Sequence, residues 1–177
     1  MITINNYSLK FWQKYSHLVI FDKDGTLVND HGYVYKISDF EWQPRGLKLL
    51  LIASQKKAAI CVVTNQSGIE KNFFTKKESV AFAKHLIRQA RKFEIDIKKI
   101  IICPHAENFS LRGCICRKPK TGIYEKIKRY KWAHDLDTIM VGNSTADREF
   151  AGNCNIHYVD VNDENAPIIL TTYLNPK

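Results

Sequence analysis

Residues 17–27 read HLVIFDKDGTL, and this stretch decides the fold. Its apolar half is typical of a parallel strand that is buried on both faces. Asp22 and Asp24 follow that strand, and side chains two residues apart on an extended chain point the same way. Two such carboxylates suit phosphoryl transfer, in which one attacks and the other moves the proton. The alternatives are a solvated turn and a calcium loop, which also uses Asp-x-Asp-Gly.

Two later segments have phosphate-binding chemistry. Residues 58–63, AAICVV, predict a second buried strand, which ends in residues 64–68, TNQSG. A hydroxyl and backbone N–H groups at the end of a strand can hold a phosphate. Residues 117–122, RKPKTG, predict a cationic loop before a helix, and a lysine there suits a transferring phosphoryl group. Taken alone, each segment also fits an ordinary turn.

Strand-like and helix-like segments alternate along the chain, which predicts an α/β fold with a doubly wound parallel sheet. Three further strands are predicted from short apolar runs, at residues 100–102, 138–141 and 156–159. Helix starts are marked by proline or threonine, at Pro44, at Thr75 with a capping box, and at Thr121. The second of these helices is predicted to run to about Phe93. The tail after about Asn162 is weakly determined.

The length of 177 residues fits one domain with a full core, so we expect a single domain over residues 1–177. The segment between Asp22 and Thr64 must hold a helix and a strand, which leaves no room for a separate cap domain. Substrate choice must then come from loops around the strand ends. Residues 1–15 are an N-terminal extension whose large side chains can pack on the body, namely Tyr7, Leu9, Phe11 and Trp12.

The composition is that of a soluble globular protein, with 45% apolar and 25% charged residues. No run of about 18 apolar residues predicts a membrane span. The first residues, MITINN, lack the order of a signal peptide, which points to the cytoplasm. The net charge of +9 invites a nucleic-acid partner, but much of the excess lies on predicted solvated helix faces. A positive field also attracts a small anionic substrate.

The five cysteines divide into two groups. Cys61 and Cys154 lie in or near strands and are predicted to be core residues, and an odd count argues against a disulfide framework. Cys103, His105, Cys114 and Cys116 instead form a C-x-H…C-x-C set, and zinc prefers four such ligands in a tetrahedron. We therefore predict a structural zinc in a loop spanning residues 103–116, which runs directly into the cationic loop. The alternative is a set of free thiols.

In this order, the segments at residues 20–27, 64–68 and 117–122 resemble motifs one to three of the haloacid dehalogenase-like phosphatases. The cysteine–histidine loop running into Arg-Lys-Pro resembles the branch that contains heptose-bisphosphate and histidinol-phosphate phosphatases. Residues 29–34, NDHGYV, resemble the heptose enzymes more closely. The resemblance covers roughly residues 17–160, and it implies a Rossmann-like core and a phosphoric monoester hydrolase.

The resemblance also implies roles for single residues. Asp22 would be the nucleophile, Asp24 the general acid/base, and Thr64 and Lys118 the groups that hold the phosphoryl group. The substrate contacts would come from three loops, namely Asp30, His31, Gly32 and Tyr33; Asn65, Gln66 and Ser67; and Arg117. Magnesium would be bound by Asp22, by the backbone carbonyl of Asp24 and at position 143.

Two positions depart from the family pattern. Asn143 stands where the family has an acidic magnesium ligand, and Lys23 replaces arginine in Asp-Arg-Asp. Asp147, four residues after Asn143, more naturally orients Lys118. The expected function is a magnesium-dependent sugar phosphatase of heptose and lipopolysaccharide biosynthesis, acting as a monomer without a nucleic-acid or membrane partner. The alternatives are a phosphatase for histidinol phosphate or another small phosphomonoester, and a catalytically weak phosphosugar-binding relative.

Overall fold

The computed structural model describes residues 1–6, 15–107 and 113–175. Its strands are β1 (Ile2–Asn5), β2 (His17–Phe21), β3 (Ala59–Asn65), β4 (Ile97–Cys103), β5 (Asp137–Gly142) and β6 (His157–Asp160). Its helices are α1 (Pro44–Gln55), α2 (Lys76–Arg91), α3 (Gly122–Lys128), α4 (Thr145–Asn153) and α5 (Ala166–Tyr173). The five strands predicted from the sequence are confirmed, with small shifts at their ends.

The sheet has the order β1-β4-β3-β2-β5-β6. Strands β2 to β6 are parallel, and β1 pairs antiparallel with β4 at one edge. Every residue of β2 is buried, because this strand lies in the middle of the sheet with helices on both faces. The strand order reverses at β2, between β3 and β5. In open α/β sheets, ligands bind at the carboxyl ends of the strands beside such a switch point.

Two hydrophobic clusters, one on each face of the sheet, form the core. Helices α1, α2 and α5 cover one face, represented by Leu50, Phe82 and Leu170. Helices α3 and α4 cover the other face, represented by Ile127 and Phe150. Because successive side chains of a strand point to opposite faces of the sheet, strands β2 to β5 contribute residues to both clusters. The predicted α/β fold with a doubly wound, mostly parallel sheet is therefore confirmed.

The helix starts follow their local sequence with one exception. Thr75 makes both bonds of the predicted capping box with Glu78, and α2 ends at Arg91 rather than at about Phe93. Thr121 does stand at the N-cap of α3, but it makes no capping hydrogen bond. Its hydroxyl donates to Glu125 Oε1 over 2.6 Å instead, so the predicted cap is wrong in its chemistry.

Besides a short 3-10 helix at Ile37–Asp39, three elements lie outside the sequence prediction, and one of them is α4, which begins after the capping residue Ser144. Residues of the N-terminal extension form β1, and the weakly determined tail forms α5, which packs on α1. Tyr7, Leu9, Phe11 and Trp12 lie outside the described residues. Cys61 is fully buried as predicted, whereas Cys154 is half-buried. Among the described helices, none is both long and apolar enough to cross a membrane.

Candidate active site

Four predicted site residues meet at the carboxyl edge of the parallel strands. Asp22 follows β2, Thr64 lies at the end of β3, and Lys118 enters from the loop before α3. All three are buried, and so is Asp147 in the first turn of α4. Asp24 is partly exposed beside them. The sheet register therefore brings together residues that are far apart in the chain.

Lys118 joins two carboxylates. Its Nζ lies 2.5 Å from Asp22 Oδ1 and 2.5 Å from Asp147 Oδ1, and it also donates to the carbonyl of Val63 over 3.3 Å. Burial would lower the pKa of Lys118, but the charges of Asp22 and Asp147 raise it above its usual value. Lys118 is therefore a charged ammonium that contacts the predicted nucleophile.

The two carboxylates beside Lys118 differ in their protonation. Burial raises the pKa of Asp22 to about 7, against the opposing charge of Lys118, and Asp147 and Asp24 raise it further. Burial would also raise the pKa of Asp147, but the charge and hydrogen bond of Lys118 and the bonds from Ser144 lower it. A divalent cation at Asp22 would favour its ionised form. Asp147 is thus the permanent counter-ion, as its spacing from Asn143 predicted.

Asp24 is held through both of its oxygens. Oδ2 accepts hydrogen bonds from Gln66 Nε2 at 2.6 Å and from Thr64 Oγ1 at 3.3 Å. Oδ1 lies 2.7 Å from the ammonium of Lys23. Among the described residues, no donor meets hydrogen-bond geometry at this buried Oδ1, so the contact is an ion pair with an unfavourable angle. Gln66, predicted to contact substrate, therefore also orients the predicted general acid/base.

Asn65 fixes the backbone of Lys118. Its Nδ2 donates to the Lys118 carbonyl over 3.0 Å, and its Oδ1 accepts from the Lys118 amide over 3.0 Å. A two-point clamp of this kind sets both the position and the direction of a loop. The predicted role of Asn65 in substrate contact stays a prediction, and these bonds give it a positioning role as well.

The loop at residues 30–33 lies at the mouth of the site and is exposed. Asp30 Oδ1 accepts from the Gly32 amide over 2.9 Å, which closes a tight turn. His31 Nε2 lies 3.8 Å from Glu41 Oε2. Tyr33 stacks edge-on against Phe73, with ring centroids 4.8 Å apart. These residues are exposed, whereas Asp22 and Lys118 are buried, and their predicted contact with substrate stays a prediction.

Tyr33 is linked to the loop after β3. Lys71 Nζ donates to Tyr33 Oη over 3.1 Å. This hydrogen bond, followed by one from Ser67, lowers the pKa of Tyr33. Ser67 and Tyr33, both predicted to contact substrate, thus lie on facing loops. Phe73 and Lys71 were not predicted from the sequence, because nothing local to them marks a site.

The cysteine–histidine set is assembled. Cys103, His105, Cys114 and Cys116 place their ligand atoms within 4.8 Å of one another. The sulfur–sulfur distances are 3.2–3.6 Å. A tetrahedron with zinc–sulfur bonds of about 2.3 Å has edges of roughly 3.7 Å, so the set fits zinc with a slight expansion.

The thiols of this set share hydrogen bonds. The bond from Cys103 lowers the pKa of Cys116 to about 5, and the same contact raises the pKa of Cys103. A ready thiolate favours binding of a soft metal ion such as zinc. Three sulfurs and one imidazole complete a four-ligand shell, which leaves no open position for chemistry. The donor set thus suits a structural metal.

Arg117 connects the cysteine–histidine loop with the active site. Its guanidinium donates to the His105 carbonyl over 3.2 Å and to Glu107 Oε1 over 3.1 Å. Its Nε is buried without a hydrogen-bond partner among the described residues. Arg117 follows Cys116 and precedes Lys118 directly. Ordering of the loop therefore sets the positions of two predicted phosphate-binding cations.

Asn143 lies beside the turn that carries Asp24. Its Oδ1 accepts from Thr26 Oγ1 over 3.0 Å. A Cβ on Gly25, whose φ is +74°, would come within 2.4 Å of Asn143 Nδ2, so only glycine allows this approach. The amide oxygen of Asn143 is thus already engaged by Thr26, and the predicted magnesium set of the Asp22 carboxylate, the Asp24 carbonyl and this amide stays a prediction. Such an all-oxygen set fits magnesium.

The comparisons with known proteins agree with this geometry. A family model described as polynucleotide kinase 3 phosphatase matches residues 17–163. A D-glycero-alpha-D-manno-heptose-1,7-bisphosphate 7-phosphatase of Campylobacter jejuni is 33% identical over 138 residues, which cover 76% of each chain. This chain belongs to the haloacid dehalogenase-like phosphatases. A D-glycero-beta-D-manno-heptose-1,7-bisphosphate 7-phosphatase of Escherichia coli K12 is 30% identical over 142 residues, which cover 78% of this chain and 74% of that protein.

Solved structures of the haloacid dehalogenase-like phosphatases share the fold. One from Mesorhizobium loti superposes with a TM-score of 0.81 at 17% identity, over 98% of this chain and 94% of that one. The D,D-heptose 1,7-bisphosphate phosphatase of B. bronchiseptica, solved with magnesium and phosphate, gives a TM-score of 0.72 at 23% identity. That match covers 89% of this chain and 98% of the other. Because the matching family model and the named relatives are phosphatases, the chain is an enzyme that hydrolyses a phosphomonoester.

Proposed function

We propose that this phosphatase is a magnesium-dependent enzyme that hydrolyses a small sugar phosphate through an aspartyl-phosphate intermediate. The observation that carries the proposal is the buried Asp22–Lys118–Asp147 arrangement beside Asp24, at 2.5 Å for each Lys118 contact. It supports the proposed roles of nucleophile, phosphate-binding cation and proton carrier, because Asp22, Lys118 and Asp24 lie at one strand edge. Phosphoryl transfer needs mainly this positioning and charge compensation.

The first step transfers the phosphoryl group to Asp22. A carboxylate oxygen of Asp22 attacks phosphorus, the bond from phosphorus to the leaving oxygen breaks, and Asp24 gives its proton to that oxygen. In the second step Asp24 takes a proton from water. The water oxygen attacks the aspartyl phosphate, which frees inorganic phosphate and restores Asp22.

Lys118 offsets the negative charge of the transferring group during both steps, and Asp147 holds Lys118 in place. Asp22, the Asp24 carbonyl and Asn143 would hold magnesium, which adds charge stabilisation when it is bound. Thr64 donates a hydrogen bond to Asp24 Oδ2, and its role in holding the phosphoryl group is part of the proposal.

We propose the 7-phosphate of D-glycero-D-manno-heptose 1,7-bisphosphate as the substrate. The named relatives at about 30% identity supply the motivation, together with the exposed loop at residues 30–33 and Arg117. Histidinol phosphate is the second candidate. We also propose that the protein is a cytoplasmic monomer that acts in heptose and lipopolysaccharide biosynthesis. Cell fractionation checks its location, and sedimentation checks its oligomeric state.

The test is a steady-state assay over a panel of phosphomonoesters, with and without magnesium. A 3′-phosphorylated oligonucleotide belongs in the panel, because the matching family is described by that activity and the chain carries a charge of +9. We expect hydrolysis of the bisphosphate and a loss of several orders of magnitude in Asp22→Asn, which lacks the covalent route.

Near wild-type turnover in Asp22→Asn would rule out the aspartyl-phosphate mechanism. If the wild type binds phosphate or a phosphosugar without turnover, the protein is instead a catalytically weak relative. The observation that favours this alternative is Asn143, which stands where the family has an acidic magnesium ligand. Rapid release of the 3′-phosphate from the oligonucleotide alone would move the substrate class to nucleic acid.

A further inference from the structure

Lys23 lies between the two proposed catalytic aspartates, and its ammonium lies beside both the ring of Phe82 and the carboxylate of Asp24. Residues alternate across an extended chain, so Asp22 and Asp24 face the site while Lys23 starts toward the core. The side chain is only 5% exposed. Its ammonium lies 4.4 Å from the centre of the Phe82 ring. A lysine in such surroundings is unfavourable unless its charge is compensated.

The polar contacts of Lys23 join two parts of the active site. Nζ lies 2.7 Å from Asp24 Oδ1 and donates to the Val34 carbonyl over 2.9 Å. Val34 ends the loop whose residues 30–33 lie at the mouth of the site. The buried ammonium thus connects the loop at the entrance to the general acid/base.

Asp24 presents its two oxygens differently. Oδ1 is buried against Lys23, although 21% of the side chain is exposed, so the solvent-facing part lies elsewhere on the carboxyl group. The contact of Lys23 with Oδ1 limits rotation of the Asp24 carboxyl group about its Cβ–Cγ bond. The contacts of Gln66 and Thr64 with Oδ2 alone leave that rotation less restricted.

We propose that Lys23 is a positioning residue that holds Asp24 in the orientation needed to protonate the leaving oxygen. This inference rests on the proposed function, since it concerns the first chemical step. In that step Asp22 forms the bond to phosphorus, the bond to the leaving oxygen breaks, and the proton moves from Asp24 to that oxygen. Proton delivery matters for an alkyl alkoxide and little for a stable aryl oxide.

The loss of kcat/KM in a Lys23 variant should therefore depend on whether the leaving group is an alkyl alkoxide or an aryl oxide. The experiment compares kcat/KM for glycerol 1-phosphate and p-nitrophenyl phosphate in the wild type, Lys23→Met and Lys23→Arg. This parameter reports the steps up to phosphoenzyme formation, so later hydrolysis does not enter. General acid catalysis contributes about 10²–10⁴-fold, and we expect Lys23→Met to lose roughly 30-fold with glycerol 1-phosphate. With p-nitrophenyl phosphate we expect little change.

Lys23→Arg should restore the wild-type ratio, since it keeps the charge, and arginine stands here in the related motif. Lys128→Met is the matched control. Lys128 also donates to a backbone carbonyl, that of Leu136, and lies near an aromatic ring, that of Tyr124, but far along the chain from Asp24. We expect that control to leave the ratio unchanged. Lys23→Gln serves the same comparison if Lys23→Met does not fold.

An equal loss with both substrates, or no loss with either, would overturn the inference. So would a failure of Lys23→Arg to restore the ratio in a folded protein. A wild type that hydrolyses no phosphomonoester of the panel would overturn the proposed function itself, and that failure is visible before any variant is made.

Discussion

At the scale of single residues, Lys118 organises the site. It is buried, it contacts the proposed nucleophile Asp22, and it draws its counter-charge from Asp147. Asp147 in turn makes both bonds of a capping box with Ser144 at the start of α4. One carboxylate therefore serves the helix and the catalytic lysine at the same time.

Asp147→Asn tests that dual role. Loss of a buried charge partner should cost about 3 kcal/mol of stability and lower kcat roughly 10²–10³-fold, because Lys118 is no longer aimed at the transferring group. Urea unfolding and steady-state kinetics measure the two effects. Thr75→Ala, which removes the equivalent capping bond of α2, should cost about 1 kcal/mol and leave kcat unchanged. Equal kcat in both variants would contradict the role of Asp147.

Asn143 has a separable effect on metal binding. The substitution Asn143→Asp adds a charged oxygen next to Asp24 and should lower the half-saturating magnesium concentration. Charge-assisted contacts are worth about 1.5–3 kcal/mol, which corresponds to roughly 10- to 150-fold in affinity. The measurement is activity against magnesium concentration, with the exposed Asn155→Asp as control. If the wild type and both variants reach half-maximal activity at the same magnesium concentration, Asn143 does not bind the metal.

At the scale of elements, the cysteine–histidine loop at residues 103–116 continues from β4 and leads directly into the cationic loop. The described part of this loop packs Cys103 and Cys116 in the core. We expect a metal at the four ligands to stabilise the described part of this loop, since a short loop has little apolar surface of its own. Its assembly therefore affects Arg117 and Lys118.

We expect one zinc per chain in protein purified without a metal-binding tag. Cys114→Ser should lower the zinc content, lower the melting temperature and raise KM, because Arg117 loses its anchor at His105. Elemental analysis, thermal unfolding and kinetics give the three readouts. Cys154→Ser, a half-buried cysteine outside the set, should keep its zinc. Less than about half an equivalent of zinc in the wild type, with readily titrated thiols, would contradict the site.

At the scale of the whole molecule, specificity depends on loops from different parts of the sheet edge. The loop at residues 30–33 faces Lys71 and Phe73 across the entrance, and Arg117 lies on the side of the cysteine–histidine loop. Only the doubly wound sheet brings these loops around one opening.

We expect heptose 1,7-bisphosphate to exceed histidinol phosphate in kcat/KM. A second phosphate can take the bidentate contact that Arg117 now shares between His105 and Glu107. Arg117→Lys should therefore lower kcat/KM for the bisphosphate roughly 10-fold and affect histidinol phosphate less. Arg148→Lys, an exposed arginine paired with Asp160, is the control. The reverse order of substrates in the wild type would assign the enzyme to the histidinol-phosphate branch.

The sequence by itself determined the features that depend on near neighbours. The strand before Asp22 is uniformly apolar, the capping box at Thr75 needs only three residues of spacing, and the metal ligands lie within one loop. The fold class follows from these patterns, because alternating strands and helices have few ways to pack. The same holds for the candidate nucleophile and its neighbour Asp24.

Only the tertiary structure decided which distant groups share a contact. The clamp of Asn65 on Lys118, the burial of Lys23 under Val34 and the pairing of β1 with β4 all join segments far apart in the chain. Such contacts depend on the sheet register and on close packing around it, and neither has a local signature. A lysine looks the same in the sequence whether it is solvated or buried, because its partners come from other elements.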